Sequence, residues 1–471
     1  MTRGIPTIGD VEGARRLAAE RPLAFGAIAL YAIARFVPFA RARVGMVLDS
    51  FDYLELARHT SWLGLLAARR PPVYLLVLRV LGENRQLVTW LQLLVGTVAW
   101  AWLAVATARN LRTGAGRAVG FSAILVLGSS LEVVQWDRLI GTESFSISLG
   151  VMVVAAVLWW WARWSVAGVA LVSVLIALWA LVRDANAVVA GTSGALVIVV
   201  VLVRRTGALR PLSVVGVVAV IVASGAVVSS NLGERWRQPI QNIVTFRVLP
   251  SPERTNYFLR RGLPVSPVEA RRLTGRCVNP VGAFMCEKVT DPEFYEWIDR
   301  RARATYARSW FAFPATTLWE PLAHLRRMTG IRVPVADIAG THLRAPYSDA
   351  VERLVFPRSP RVLLAWLLLL VVGLGVLGSR VARSLLVVAV GLIALTYVHL
   401  WAVWTGDAVE PERHGLSAAL QLQLGLWLLS AGLLDAWLLT FRSRRRGDCR
   451  SVADAGSPGV GDTALAFTNI G

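Results

Sequence analysis

About ten stretches of this chain are apolar for long enough to cross a bilayer, and no other feature limits its fold so severely. Crossing about 30 Å of hydrocarbon takes roughly 20 apolar residues. We read spans at 23–40, 86–108, 118–131, 144–161, 166–182, 187–203, 212–229, 362–377, 385–404 and 416–439. In lipid a backbone must satisfy its own hydrogen bonds, which leaves helices or closed barrels, and runs of this length are helical. The expected fold is therefore an all-α polytopic membrane protein. Composition agrees: 55% of the 471 residues are hydrophobic and 17% charged. That is too apolar for a soluble enzyme or a disordered chain, and three cysteines are too few for a disulfide scaffold.

The formal charge is +20, from 50 basic and 30 acidic side chains. In a soluble protein such a surplus would suggest a nucleic-acid partner. Here many arginines occupy short gaps between spans, and Lys288 is the only lysine. We therefore expect no nucleic acid. Cytoplasmic loops retain positive charge, so alternate loops should differ, and they do. One set carries Arg109, Arg112 and Arg117; Arg163; Arg204, Arg205 and Arg210; Arg380 and Arg383; and the tail arginines at 442 and 444–446. The other carries Glu132, Asp137 and Glu143; Arg183 with Asp184; and Asp407, Glu410 and Glu412. This pattern predicts both termini in the cytoplasm, with no cleavable signal peptide.

The expected organisation is a cytoplasmic N-terminus at 1–22, a bundle at 23–230 with an outer loop at 41–85, and an extracytoplasmic domain at 231–361. Three further spans follow within 362–440, then a disordered cytoplasmic tail at 441–471. The outer loop contains apolar runs at 62–66 and 73–80, too short to span and suited to amphipathic helices in the interface. In the extracytoplasmic domain the stretch 291–309 reads as helix. Cys277 and Cys286 lie close together in RCVNPVGAFMCEK, in a compartment where disulfides persist, so a local disulfide is expected; Cys449 should stay free.

The polar residues that stand out all fall on the outer side. In DSFDYLELAR, Asp49, Asp52 and Tyr53 are at i, i+3 and i+4, so two carboxylates and a phenol share one helix face. Such carboxylates can accept a proton or simply favour a helix N-terminus. In ARRPPVY, Arg70 abuts a Pro-Pro pair that can start a helix, where it can meet a lipid phosphate or merely snorkel. Asp137, Arg138 and Glu143 lie in EVVQWDRLIGTE, Arg183 in a very short turn, and Arg413 and His414 in DAVEPERH. Each has an ordinary reading as a solvated turn, an ion pair or a cap. No metal-spaced histidine pair, glycine-rich phosphate loop or nucleophile elbow appears.

DSFDYLELAR after the first span, followed by RRPPVY, resembles the GT-C glycosyltransferases that use polyprenyl-phosphate sugars, including protein O-mannosyltransferases and lipid A aminoarabinose transferases. The resemblance covers mainly the first hundred residues. It implies a GT-C-like fold and places Asp49 at the catalytic acid and Arg70 at the residue holding the lipid phosphate. Ser50 stands where the family's second acid is expected, and Asp52 is the candidate replacement. Arg138, Arg413 and His414 are further donor-phosphate candidates. Tyr53, Asp137, Glu143 and Arg183 are acceptor or substrate candidates. The implied partners are a polyprenyl-phosphate sugar, a cell-envelope glycan, lipid or protein acceptor, and membrane lipid. The implied setting is a bacterial plasma membrane with hexosyl or pentosyl transfer on the extracytoplasmic face. No cofactor is assigned, and a divalent cation is the one candidate. A transporter or flippase of a lipid-linked saccharide is the alternative, and a non-catalytic scaffold a third; transporters place their sites nearer the midplane.

Overall fold

The computed structural model describes residues 8–204, 210–279, 287–289, 291–329, 349–406, 408–409 and 411–455. From the N-terminus, α1 (Ile8–Arg41) leads through β1 (Gly45–Met46) into α2 (Leu48–His59) and α3 (Pro72–Val80). The bundle continues with α4 (Arg85–Arg109), α5 (Gly114–Gly128), α6 (Leu131–Val134), β2 (Leu139–Ile140), α7 (Glu143–Trp160), α8 (Val166–Val182), α9 (Asp184–Arg204) and α10 (Arg210–Leu232). A unit of short helices follows: α11 (Arg237–Ile243), α12 (Pro252–Leu259), α13 (Pro267–Leu273), strands β3 (Val278–Asn279) and β4 (Glu287–Lys288), α14 (Pro292–Trp297), α15 (Arg303–Ala312), α16 (Pro314–Ala323) and α17 (Leu325–Thr329). The chain ends with α18 (Asp349–Val355), α19 (Pro360–Leu377), α20 (Arg383–Gly406) and α21 (Pro411–Ala455).

Among the described residues eight helices are long and apolar enough to cross a membrane. The other two expected spans differ. The one at 118–131 is α5 followed by a second piece, Leu131–Arg138, bent by 49°. Gly128, Ser129 and Ser130 mark the break, and all three are poor helix formers. Val166–Val182 has 17 residues, about 26 Å of helix, somewhat less than the hydrocarbon thickness. The helices differ in how much lipid they meet. The apolar window of α7 is 67% buried and those of α4 and α21 56%, whereas α1 and α19 reach only 17% and 11%. Thus α4, α7 and α21 form the centre, around Trp100, Leu103, Leu127 and Leu428.

The loop after α1 folds differently from its simplest reading. The run at 73–80 forms α3, with Pro72 in its first turn, but 62–66 yields only a single 3-10 turn, Gly64–Ala67, with Trp62 and Leu63 exposed. The parallel pairing of Gly45 with Leu139 and of Met46 with Ile140 ties this loop to the segment before α7. Helical backbone also begins at Ile8, well before the span, and α21 continues through Ala455, where a disordered tail is expected from 441.

The described residues between 240 and 302 pack round their own core of Ile243, Phe258, Phe294, Trp297 and Ile298, with Ala408 from the turn after α20 closing it. The expected helix at 291–309 is present as α14, a π-helical turn Ile298–Ala302 and α15. Cys277 is disulfide-bonded, while Cys286, Asp407 and Glu410 lie outside the described residues.

Two carboxylates inside the bundle hold it together at opposite ends. Asp435 is buried in α21; its Oδ1 accepts from the Thr113 amide and hydroxyl at 2.7 and 2.6 Å, and Oδ2 from the Arg112 amide at 3.0 Å, so it caps α5 from across the bundle. Glu132 is buried at the α5–α6 bend and accepts from Arg358 Nε at 2.8 Å. Beside it Glu352 of α18 accepts from the Leu131 amide at 2.9 Å and shares a side-chain hydrogen bond with Glu132. Burial, then the Glu132 carboxyl, push the Glu352 carboxyl up from its ordinary 4.5 to about 8, against the Leu131 amide and Arg358. Between those values folded Glu352 keeps a proton that the unfolded chain has lost, so its docking is fully stable below about 4.5 and weakens as pH rises through about 8. Thermal unfolding of Glu352→Gln should therefore lose part of the wild type's fall in stability between pH 6 and 9; an unchanged fall would reject the shared proton.

A candidate active site at the ends of α2, α7 and α21

The site begins with the local geometry of α2. Ser50, fully buried, accepts from the Val47 amide at 2.8 Å and donates to the Ile140 carbonyl at 2.5 Å. A hydroxyl can do both; a carboxylate has no proton for that carbonyl. Ser50 is thus the pin between α2 and β2, and the pin fixes Asp49 one residue earlier. With Asp49 so placed, helical spacing brings Asp52 and Tyr53 to the same face, as the sequence predicts.

Arg70, immediately before the prolines that start α3, reaches back to both acids: its Nη2 donates to Asp49 Oδ1 and its Nε to Asp52 Oδ2, each at 2.6 Å. Arg69 pairs with Asp52 at 2.5 Å from the more exposed side. The other oxygen of Asp49 accepts from Arg413 in the first turn of α21. Arg413 Nε lies 3.0 Å from Glu143, the first residue of α7, and Arg183 at the α8–α9 turn lies 3.9 Å from the same oxygen. Arg183 also donates to His414 Nδ1. A guanidinium can only donate, so Nδ1 accepts and the ring proton is on Nε2. Four carboxylates, of Asp49, Asp52, Glu55 and Glu143, thereby meet four guanidiniums, of Arg69, Arg70, Arg183 and Arg413, with Glu55 3.9 Å from Arg69 on the exposed side.

Burial grades the cluster. The side chains of Asp49, Asp52 and Arg70 are 20–29% exposed, whereas those of Arg413, Glu143 and Arg183 are 3–8% exposed. The more exposed side of the cluster is therefore at α2 and the residues before α3, and the buried side at α7, α9 and α21. Burial pushes the Asp49 carboxyl up, but Arg413 and Arg70 together outweigh it and hold the group well below the usual carboxylate range. Burial pushes the Tyr53 phenol up to about 12, so it is a hydrogen-bond donor at neutral pH. The Arg70 guanidinium lies 5.2 Å from the Tyr53 ring centre, and Tyr53 meets Tyr74 edge to face at 5.1 Å.

Eight of the sequence's candidates thus come together: Asp49, Asp52, Tyr53, Arg70, Glu143, Arg183, Arg413 and His414. Asp137 and Arg138 do not. Asp137 is buried in an ion pair with Arg35 and accepts from Ser144 at 2.7 Å; Arg138 donates to the Phe39 carbonyl with its guanidinium 3.8 Å from the Phe39 ring centre. Both serve to hold α1 against the segment before α7, so the structure corrects their expected place in the site. Gln92 was not foreseen. Fully buried in α4, it accepts from the Tyr74 hydroxyl at 3.1 Å and donates to the Asp137 and Leu139 carbonyls at 3.0 and 2.9 Å, so it braces both Tyr74 and the β2 segment. A polar side chain inside a span was the available signal. Among the described residues no three His, Cys, Asp or Glu side chains converge as metal ligands, and the acids of the cluster are engaged by arginines, so this site does not fit a divalent cation.

No protein-family model matches the chain, and no curated protein matches it. Among solved structures it is similar to the archaeal oligosaccharyltransferase AglB from Archaeoglobus fulgidus, described in complex with an inhibitory peptide and a dolichol-phosphate. The identity is 13% and the TM-score 0.43, over 93% of this chain and 53% of that one. The chain thus spans about half the length of that protein, and a likeness at this level carries no argument for activity.

Ser50→Ala should destabilise the protein by about 1–3 kcal/mol, because it leaves the buried Val47 amide and Ile140 carbonyl without their partner; wild-type stability of Ser50→Ala in detergent unfolding would show that the pin is unimportant.

Proposed function

We propose that the protein is a membrane glycosyltransferase that moves a sugar from a polyprenyl-phosphate donor to a cell-envelope acceptor, with inversion, on the extracytoplasmic face of a bacterial plasma membrane. The observation that carries this reading is the Asp49 carboxylate gripped between Arg70 and Arg413 at the ends of membrane helices. It joins in one place the acid and the cations that such a transfer needs. The resemblance of DSFDYLELAR and RRPPVY to GT-C elements supports it independently of the geometry, and the positive-inside pattern of the loops supports the side of the membrane.

The chemistry follows from the charges. An acceptor hydroxyl oxygen attacks the anomeric carbon and forms the new glycosidic bond as the bond to the phosphate oxygen breaks. Polyprenyl phosphate leaves from the opposite face with the bonding electrons. The hydroxyl proton passes to Asp49 late in the step. A carboxylate has about four acceptor positions, and the two arginines use two, which leaves room for the incoming hydroxyl. Because the arginines lower its basicity, Asp49 mainly orients the hydroxyl and offsets charge as the transition state develops. Arg70 and Arg413, supported by Glu143, Arg183 and His414, then face the leaving phosphate, whose geometry suits bidentate guanidinium. Asp52 holds Arg70, and Tyr53 supplies a donor and a ring beside it.

Sugar transfer by purified protein in liposomes, offered a panel of polyprenyl-phosphate sugars and an envelope acceptor, tests the reading. Asp49→Asn should lose about 10²–10⁴-fold in rate with donor binding retained; equal rates would remove Asp49 from catalysis. Transfer by neither protein with any donor, alongside movement of lipid-linked saccharide across the liposome, would replace the reading with transport. The depressed Asp49 carboxyl stays ionised throughout the mildly acidic range. The wild-type rate should accordingly show no acid limb between pH 5 and 7, and a limb there that disappears in Asp49→Glu would contradict the clamped carboxylate.

A further inference from the structure

The helices α15 and α16 belong in sequence to the unit between α10 and α18, yet three contacts set them against the flank of the span α20. At the start of the pair the Tyr306 hydroxyl donates to the Thr405 carbonyl at 3.0 Å. One turn further on, Trp310 meets Trp401 edge to face, with ring centres 5.0 Å apart. After the turn at Phe313 and Pro314, the Tyr397 hydroxyl donates to the Leu318 carbonyl at 2.7 Å. The chain then climbs back: Glu320 accepts from Trp404 Nε1 at 3.1 Å, and His324 stacks on the Trp404 ring at 4.5 Å. So α15 descends along α20 from residue 405 to residue 401, and α16 rises from the level of residue 397 to that of residue 404.

From Thr405 to Tyr397 is eight residues, about 12 Å along the helix axis. The 24 residues of α20 make about 36 Å of helix, about 6 Å more than the hydrocarbon thickness. Even if all of that surplus projected on this side, only the last four residues would clear the hydrocarbon, and Tyr397 would remain within it. The Leu318 carbonyl, in the first half of α16, meets the Tyr397 hydroxyl, while Phe313 at the turn meets the Tyr257 ring of α12 edge to face at 5.4 Å.

The side chains it presents match such a place. Phe311 is 84% exposed, Trp319 66% and Leu318 55%, an apolar set that water would not tolerate cheaply. Of the charged residues, Glu320 is bonded to Arg254 at 2.6 Å and to Trp404, inside the unit, while Arg308 of α15 is exposed one turn before Phe311, where its long side chain can snorkel toward the headgroups. A re-entrant backbone at membrane depth is allowed where protein or its own helices satisfy it, and Tyr397 satisfies the Leu318 carbonyl here.

We propose that α15 and α16 form a re-entrant hairpin whose outer face, with Phe311, Leu318 and Trp319, lies in the acyl chains of the leaflet on the Asp49 side. The partner is lipid hydrocarbon. The unit between α10 and α18 is then rooted in the bilayer rather than standing clear of it, and its position is fixed by lipid as well as by its contacts with α20. This does not depend on the reaction assigned to the cluster.

An environment-sensitive fluorescent amino acid placed at 311 or at 319 tests it in liposomes whose lipids carry a nitroxide on the acyl chain. Position 390, exposed on α20, serves as the hydrocarbon reference, and position 271, exposed on α13, as the water reference. The hairpin predicts quenching at 311 and 319 equal to that at 390, and none at 271. Quenching at 311 and 319 as low as at 271 would overturn it. A nitroxide on the headgroup instead of the chain separates shallow contact from insertion: stronger quenching by the headgroup probe than by the chain probe would also overturn it.

Discussion

The contact between Asp49 and Arg413 joins residues 364 positions apart in the chain. It brings the first short helix after α1 to the first turn of the last span, and the remaining site geometry is arranged to make that contact possible. A carboxylate and a guanidinium withdrawn from water lose several kcal/mol each in solvation, and only good geometry with further hydrogen bonds restores it. The protein supplies these from four directions: Arg70 on the second oxygen of Asp49, Glu143 on Arg413, and Arg183 and His414 behind Glu143. Removing one member leaves the others buried and unpaired, a cost of about 3–5 kcal/mol for a single broken pair. Such an arrangement is a poor means of gaining stability and a good means of fixing charge where a reaction needs it.

The supporting shell explains why α2 sits where it does. The Ser50 pin, the short pairing of β1 with β2, and Gln92 between Tyr74 and the β2 carbonyls all bind the loop after α1 to the segment before α7. Asp137 with Arg35, and Arg138 with the Phe39 carbonyl, attach α1 to the same segment. Asp137 and Arg138 are therefore two steps from the cluster, holding the frame on which Asp49 is mounted. On the opposite side of the bundle Asp435 caps α5 from α21, so the helix that delivers Arg413 is also tied at its other end.

Much of this is legible in the sequence, for physical reasons that differ by residue. The spans are written in length and hydropathy, which lipid enforces. The shared face of Asp49, Asp52 and Tyr53 follows from helical period, and the start of α3 from the prolines after Arg70. The convergence of Glu143, Arg183, Arg413 and His414 was legible only as a common side of the membrane, because their meeting depends on helix packing that no local pattern records. Asp137 and Arg138 were misplaced for the same reason: charge in an outer turn does not say which helix it will face. Gln92 and Asp435 could have been found, since a polar or ionised side chain inside a span needs a partner. The depth of α15 and α16 had no signal at all, because each is too short to read as a membrane segment.

If the site works as proposed, Asp49 at the acceptor hydroxyl and Arg413 at the leaving phosphate act as one unit in the transfer rather than as two separately useful charges. A double-mutant cycle on sugar transfer, with Asp49→Asn, Arg413→Gln and the pair, measures this directly. Groups that act together are strongly non-additive, so the double variant should be no slower than the worse of the two single variants. Losses that add in free energy would show that the two residues work independently and would contradict the site as described.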